Sequence, residues 1–411
     1  MQSSLRSVVV VGGGLAGLST CSALRAFGFA EELVLLAAEP HLPYDRPPLS
    51  KEVLTGALSP AGVELRPEQW YADNRVDVRL GTRAVALRAG EGAVETGDGR
   101  VVRADAVVLA TGGVPRPLPV PGGELARVLR TRDDAEELRA ALAPGARLLV
   151  VGGGLIGAEV ASSAMSLGCE VTVADPDPLP LAGAVGAVVA AHLHAQHPAA
   201  GVRVLEAGVT ALERRGAAVH ARLSANPVAE EVEADVVLAG IGIVPDDGLA
   251  SAAGADVGAG VLVGPDMRSS IPEILAVGDV ARPRGSRGPL ARREHWEAAV
   301  RTGEAAAAAL LGTPAPAPVQ PWFWTDRYGV HVEVAGLVPP EAAPVLRGDP
   351  ASGSFAVFFL EAGRLAAAVS VDRGPEARAS RRLVDAAAAV EPATLADESV
   401  DLRKLARATR G

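Results

Sequence analysis

A chain that twice runs from a β-branched strand through Gly-x-Gly-x-x-Gly into alanine-rich sequence has few ways to fold. Val8-Val9-Val10-Val11 leads into Gly12-Gly13-Gly14-Leu15-Ala16-Gly17, and Leu148-Leu149-Val150-Val151 leads into Gly152-Gly153-Gly154-Leu155-Ile156-Gly157. In each copy the first glycine permits a tight turn, and the second lets a pyrophosphate approach the backbone. The third lets the helix pack closely on the strand. The helix start then offers unpaired N–H groups and the positive end of a dipole to an anion. One such turn is weak evidence, being no more than a glycine-rich strand-to-helix connection. Two copies, each followed by an apolar segment ending near an acid, point to two dinucleotide sites.

The acid after each second strand is the expected ribose ligand. Glu170 to Ala174 leads to Asp175, which follows Gly157 at close to the ~20 residues such an acid needs. With Asp177 nearby and no arginine between them, Asp175 would repel a 2′-phosphate, which favours NADH over NADPH. In the first copy Leu33 to Leu36 is followed by Ala37-Ala38-Glu39, and Glu39 is the available acid, slightly late in register.

The chain has 411 residues, too many for one core, so two or three domains are expected. A net charge of −10 argues against nucleic acid or an anionic membrane as the main partner. No apolar run is long enough to span a bilayer. The short N-terminal lead-in before Val8 leaves no room for a secretory signal, so a cytoplasmic location is expected. Cys21 and Cys169 form no CxxC pair or metal-ligand spacing and read as small buried apolar residues.

The glycine turns, together with Pro43-Tyr44-Asp45-Arg46-Pro47-Pro48-Leu49-Ser50-Lys51, resemble the FAD-dependent ferredoxin reductases that serve oxygenases and cytochromes P450. By composition alone that run is a proline-stiffened loop. Ala110-Thr111-Gly112, Leu129-Arg130-Thr131, Gly240-Ile241-Gly242 with Pro245, Ala276 to Ala281, Glu294-His295-Trp296 and Trp322 to Asp326 extend the resemblance in order along nearly the whole chain. The fold it implies is α/β. Two Rossmann-like domains bind FAD and NAD, with the second inserted in the first, and a small α+β C-terminal domain follows. The expected boundaries are 1–112 with 240–313 for FAD, 113–239 for NAD and 319–411 for the C-terminal domain. Residues 312–318 form a proline-rich linker between them. In the last domain 330–334, 355–360 and 365–371 are expected strands and 380–390 an expected helix.

The resemblance also assigns residues. Gly12, Gly14, Ala16, Gly17, Glu39, Arg46, Lys51, Ala84, Arg130, Asp279 and Trp296 fall at the FAD, with Arg46 on the pyrophosphate side and Asp279 on the ribityl chain. Gly152, Gly154, Ile156, Gly157, Glu159, Asp175 and Gly242 fall at the nicotinamide cofactor. Lys51, Glu159 and Trp296 are the candidate catalytic residues: Lys51 to stabilise charge on the reduced ring, Glu159 to orient the nicotinamide amide and pair with Lys51, Trp296 to lie along the flavin edge. Each has a plainer reading, respectively a surface lysine, a helix-start acid favoured by the dipole, and an aromatic filling a core gap. The sequence departs from the family at Ala38, where a second acid is usual, at Asp246 and Ala298, where asparagines are common, and near Gly183, where an arginine is missing.

The chemistry implied is electron transfer from NADH to a ferredoxin, expected to be of the [2Fe–2S] type. A nicotinamide gives up two electrons at once and an iron–sulfur acceptor takes one, a mismatch that a flavin resolves. Arg282, Arg284, Arg287, Arg292 and Arg293 crowd one short stretch of an acidic chain, suiting an acidic ferredoxin; the plainer reading is a solvated loop. The competing functions are an NADH oxidase or peroxidase on the same scaffold and a redox sensor resembling apoptosis-inducing factors. An oxidase or a disulfide reductase would carry a redox cysteine near residues 43–51, where there is none.

Overall fold

The computed structural model describes residues 5–224 and 230–409. The chain forms two compact units. Unit one comprises 1–46, 61–114 and 243–318, and unit two comprises 47–60, 115–242 and 319–411.

In unit one, Ser7–Val11 lies between Glu32–Leu36 and Ala106–Leu109, all parallel, with Asp77–Arg79 and Ile274–Ala276 completing the sheet. Counted by first appearance, the strand order is 3-2-1-4-5, the doubly wound arrangement that binds ligands where the order reverses. Val8 to Val10 and Leu33 to Leu36 are buried. Such near-continuous aliphatic runs are what a strand covered on both faces requires. Helix Leu15–Ala26 packs on helix Trp296–Leu311 almost backbone to backbone: a Cβ on Gly303 would lie 2.8 Å from Thr20 N.

Unit two repeats the plan. Its parallel sheet runs Arg203–Glu206, Glu170–Asp175, Arg147–Val151, Val236–Ala239, the 3-2-1-4 order again. The C-terminal part of this unit is a five-stranded antiparallel sheet in the order Trp322–Arg327, Val330–Gly336, Arg364–Val371, Phe355–Glu361, Pro344–Arg347. Val189 and Leu193 of helix Ala187–Ala199 share an apolar cluster with Phe323, Val332 and Phe359 of this sheet. Leu383 and Val384 pack with Phe358 and Ala368 in a second cluster.

The expected strands 330–334, 355–360 and 365–371 are present, each slightly longer. The helix expected over 380–390 is displaced, running from Gly374 to Asp385. Pro375 lies in its first turn, where a missing N–H costs nothing. The chain leaves the helix through Ala387, whose φ is +41°, and Ala389 then bridges to Arg364. No helix is long and apolar enough to cross a membrane among the described residues.

Candidate functional site

In unit one the first glycine turn sits at the point where the strand order reverses. Gly12 has φ +123°, and a Cβ there would lie 2.2 Å from Ala110 O. A Cβ on Gly17 would lie 2.0 Å from Gly12 O, so helix and strand meet with no room for a side chain. Gly14 is the N-cap of helix Leu15–Ala26, no side chain caps it, and a Cβ on it would meet nothing within 4 Å. The helix start therefore carries unpaired N–H groups facing open space, as a pyrophosphate needs. Ala16 is buried, and a Cβ on Gly278 would lie 2.7 Å from its Cβ, so the turn holding Asp279 is drawn tightly onto this helix.

Glu39 lies three residues past the strand Glu32–Leu36, and local partners engage both its oxygens. Tyr44 donates its hydroxyl to Oε2 at 2.5 Å, and Arg46 Nη2 donates to Oε1 at 2.9 Å. The late register is thus compensated by the proline-rich segment, which folds back on the acid. Trp296, first residue of helix Trp296–Leu311, donates its indole N–H to Asp45 Oδ1 at 2.8 Å. This is a contact across 251 positions that no local signal could give. His295, beside it, is half-buried; desolvation lowers its pKa and the Asp279 charge works the other way. Ala84 begins the antiparallel strand Ala84–Arg88 and is half-buried.

Of the five arginines between positions 282 and 293, three are committed to partners within this unit. Arg282 donates to Leu290 O at 2.9 Å and also bonds Gly258 O. Arg284 pairs with Asp256 at 2.7 Å, and Arg292 donates to Ala259 O at 2.9 Å and pairs with Glu294. Arg282, Arg292, Glu294 and His295 line a shallow cavity of about 380 Å³. Arg287 and Arg293 are exposed and make no ion pair among the described residues.

In unit two the second glycine turn has the same construction. Gly152 has φ +100° and its Cβ would lie 2.7 Å from Gly240 O, while a Cβ on Gly157 would lie 2.0 Å from Gly152 O. Gly154 is again an uncapped N-cap open to space. Asp175, the last residue of its strand, accepts from Gly153 N at 2.7 Å and from Asp177 N at 2.8 Å, which pins the carboxylate at the lip of the turn. Ile156 is 42% exposed, although its counterpart Ala16 is buried. Gly242 carries φ +93° and its carbonyl accepts from Arg116 N. The backbone N–H of Arg130 donates to Asp134 in the capping box of helix Arg132–Ala141.

Glu159 is 4% exposed on helix Leu155–Ser166. Its Oε2 accepts from Ser50 Oγ at 2.5 Å and from Lys51 Nζ at 3.1 Å, and its Oε1 accepts from Thr325 Oγ1 at 2.7 Å. A buried carboxylate needs such partners to remain charged. Ser50 and Thr325 were missed from the sequence. Ser50 stood inside the motif that carried the resemblance, and Thr325 had only its place in the Trp-Phe-Trp-Thr-Asp run. Lys51 and Glu159 are brought together as expected, 108 residues apart in the chain. Cys21 and Cys169 are free and buried, and burial pushes the Cys21 thiol up to about 12.

Two parallel sheets with open glycine turns at their reversal points, followed by an antiparallel module, define an oxidoreductase fold built for two dinucleotides. The chain matches the pyridine nucleotide-disulphide oxidoreductase family over residues 6–303 and the reductase C-terminal domain over 322–406. It belongs to that family, in the branch of ferredoxin–NAD(+) reductases, whose cofactors are FAD and NADH. It is 39% identical to the ferredoxin–NAD(+) reductase component of the anthranilate 1,2-dioxygenase system of Burkholderia cepacia, covering 96% of this chain and 98% of that one. It is 35% identical to putidaredoxin reductase of Pseudomonas putida, covering 98% and 97% respectively. Among solved structures, the covalent putidaredoxin reductase–putidaredoxin complex is similar with a TM-score of 0.92 and 35% identity, covering 99% of each chain. The ferredoxin reductase for the CYP199A2 system of Rhodopseudomonas palustris also gives 0.92, at 32% identity, covering 97% of this chain and 99% of that one.

Proposed function

We propose that this protein is an NADH:ferredoxin reductase that draws electrons from NADH and delivers them singly to a [2Fe–2S] ferredoxin serving a cytochrome P450 or Rieske-type oxygenase. The observation that carries the reading is the buried carboxylate network of Glu159, Lys51, Ser50 and Thr325, on the helix of the second glycine turn. Bound FAD and NADH supply the redox chemistry, in which a pair of electrons taken together as hydride is released one at a time.

The protein's residues bind, orient and balance charge. Gly12, Gly14, Ala16 and Gly17 would seat the FAD pyrophosphate, and Glu39, steadied by Tyr44 and Arg46, would take the adenosine ribose. Asp279, Ala84, Arg130 and Lys51 would complete the FAD contacts. Trp296, fixed through Asp45, would lie along the ring. Gly152, Gly154, Gly157, Ile156 and Gly242 would hold NADH, with Asp175 on its ribose repelling the extra phosphate of NADPH. Lys51 would counter negative charge on the reduced ring, and Glu159 would orient the nicotinamide amide. No side chain has to donate or remove a proton. In this reading residues 1–112 and 240–313 serve FAD, 113–239 serve NADH and 319–411 cover the acceptor side. A cytoplasmic location, where NADH is supplied, belongs to this reading.

Arg287 and Arg293 would meet the acidic ferredoxin, while Arg282, Arg284 and Arg292 stiffen the segment that presents them. Stopped-flow mixing of the FAD-loaded protein with NADH or NADPH, then with a [2Fe–2S] ferredoxin, tests the proposal. NADH should bleach the flavin much faster than NADPH, and electrons should pass on to the ferredoxin. Arg287→Glu with Arg293→Glu should raise the ferredoxin KM several-fold by reversing complementary charge. A protein equally fast with NADPH, or unable to reduce any such ferredoxin, would refute this function.

A further inference from the structure

We propose that Thr325, with Ser50, is a positioning residue for the hydride step: the two hydroxyls hold the Glu159 carboxylate in one orientation. The inference rests on the reading of Glu159 as the group that orients the nicotinamide amide. It assigns to the C-terminal module a part in the NADH half of the reaction as well as in the meeting with the acceptor.

A glutamate carboxylate turns easily about its last torsion, which has broad, two-fold wells. Lys51 alone does not stop that rotation, because an ammonium is a compact charge with three freely turning donors. The hydroxyls divide the task. Ser50 donates to Oε2 at 2.5 Å and Thr325 donates to Oε1 at 2.7 Å, so each oxygen is held separately. The direction of both bonds follows from chemistry, since an ionised carboxylate only accepts.

Both donors are themselves secured to the helix that carries Glu159. Ser163 Oγ donates to Ser50 O at 2.7 Å, and the backbone N–H of Tyr328, just past the Thr325 strand, donates to Ser162 Oγ at 2.7 Å. Along Trp322–Arg327 the residues alternate: Phe323, Thr325 and Arg327 are buried, while Trp322, Trp324 and Asp326 are half-buried on the other face. Arg327 adds a buried positive charge. Burial lowers its pKa to about 10, and the charges of Tyr328 and Glu159 oppose that drop. One strand thus supplies a neutral donor and a cation to the region of Glu159. Its opposite face carries Trp322 and Trp324, with ring centroids 5.0 Å apart.

The test uses the FAD-loaded full chain. Thr325→Val, Thr325→Ser, Ser50→Ala and Glu159→Ala are first compared in FAD content and melting temperature, then mixed with NADH while flavin absorbance is followed. Thr325→Val should lower the limiting rate about tenfold, the size of one hydrogen bond to a buried charge, and change half-saturation by NADH by less than about threefold. Thr325→Ser should recover most of that rate. In the Glu159→Ala background the valine should have no further effect, because its target is gone. Wild-type speed in Thr325→Val, a serine variant as slow as the valine, or equal slowing with and without Glu159 would overturn the proposal. If Thr325→Val loses FAD, Ser50→Ala carries the same comparison, and an unimpaired Ser50→Ala rate then overturns it. A fast Glu159→Ala sinks the underlying reading of Glu159. A slow Glu159→Ala beside a fast Thr325→Val sinks the Thr325 assignment alone.

Discussion

At the scale of single residues, the cysteines separate this protein from the disulfide chemistry in its family's name. Reactivity belongs to the thiolate. Cys21 is buried with its thiol pushed up to about 12, and burial also raises Cys169. Replacing both with alanine should leave NADH-driven ferredoxin reduction within about twofold of wild type, with a stability loss of roughly 1–2 kcal/mol from lost packing. A collapse of turnover at unchanged FAD content would show a redox role. Lys51 and Glu159 were legible in the sequence because a motif and a glycine turn marked them. The roles of Ser50 and Thr325 were not. A hydroxyl carries no pattern of its own, and what matters here is which carboxylate lies 2.7 Å away.

Among the elements, helix Ala187–Ala199 carries a buried titratable group against the C-terminal sheet. His197 is 1% exposed and shares a 2.8 Å hydrogen bond with Tyr328. Its pKa is lowered to about 4, chiefly by burial, with Arg327 and His194 adding to the shift. The folded protein therefore keeps a neutral imidazole, while the unfolded chain takes up a proton near 6.5. Stability is unaffected by this group above that value and is lost as pH falls from about 6.5 towards about 4. The loss is at most about 1.4 kcal/mol per pH unit. His197→Asn should flatten the fall in melting temperature over this window, measured by calorimetry. Parallel pH curves for the two proteins would rule the effect out. The displaced helix Gly374–Asp385 belongs to the same scale. Its alanine-rich sequence continues beyond Asp385, but the chain turns away through Ala387, at φ +41°, and Ala389 pairs with Arg364. That is a partner choice no local propensity encodes.

For the whole molecule, the C-terminal sheet is part of unit two. Val185, Val189 and Leu193 are fully buried in a cluster with Phe323, Phe355 and Phe359, and a Cβ on Gly186 would lie 2.4 Å from Phe359. Each such aliphatic side chain gains roughly 1.5–3 kcal/mol from burial. Removing residues 319–411 should therefore leave a protein that aggregates or fails to hold FAD, read by soluble yield and bound flavin. A soluble, yellow truncated protein would show that the module is dispensable for folding. The same unit contains Arg347, only 2% exposed, which donates to Leu395 O at 3.2 Å and Val400 O at 2.9 Å while pairing with Glu376. A single buried guanidinium thus gathers the C-terminal segment onto the sheet.

The order of residues alone determined the twin strand–glycine–helix turns and the acid at Asp175, while the electron-transfer class followed from the family the motifs resemble. The turns and the acid are local patterns whose physics acts over a few residues: a glycine admits a positive φ, and a β-branched run makes a strand. Tertiary structure decided what depends on distant partners. It closed Tyr44 and Arg46 on Glu39, anchored Trp296 to Asp45, bound Arg282, Arg284 and Arg292 to the segment 256–259 and placed Thr325 on Glu159. Those contacts depend on which distant segments the folded chain sets side by side, which a linear sequence does not display.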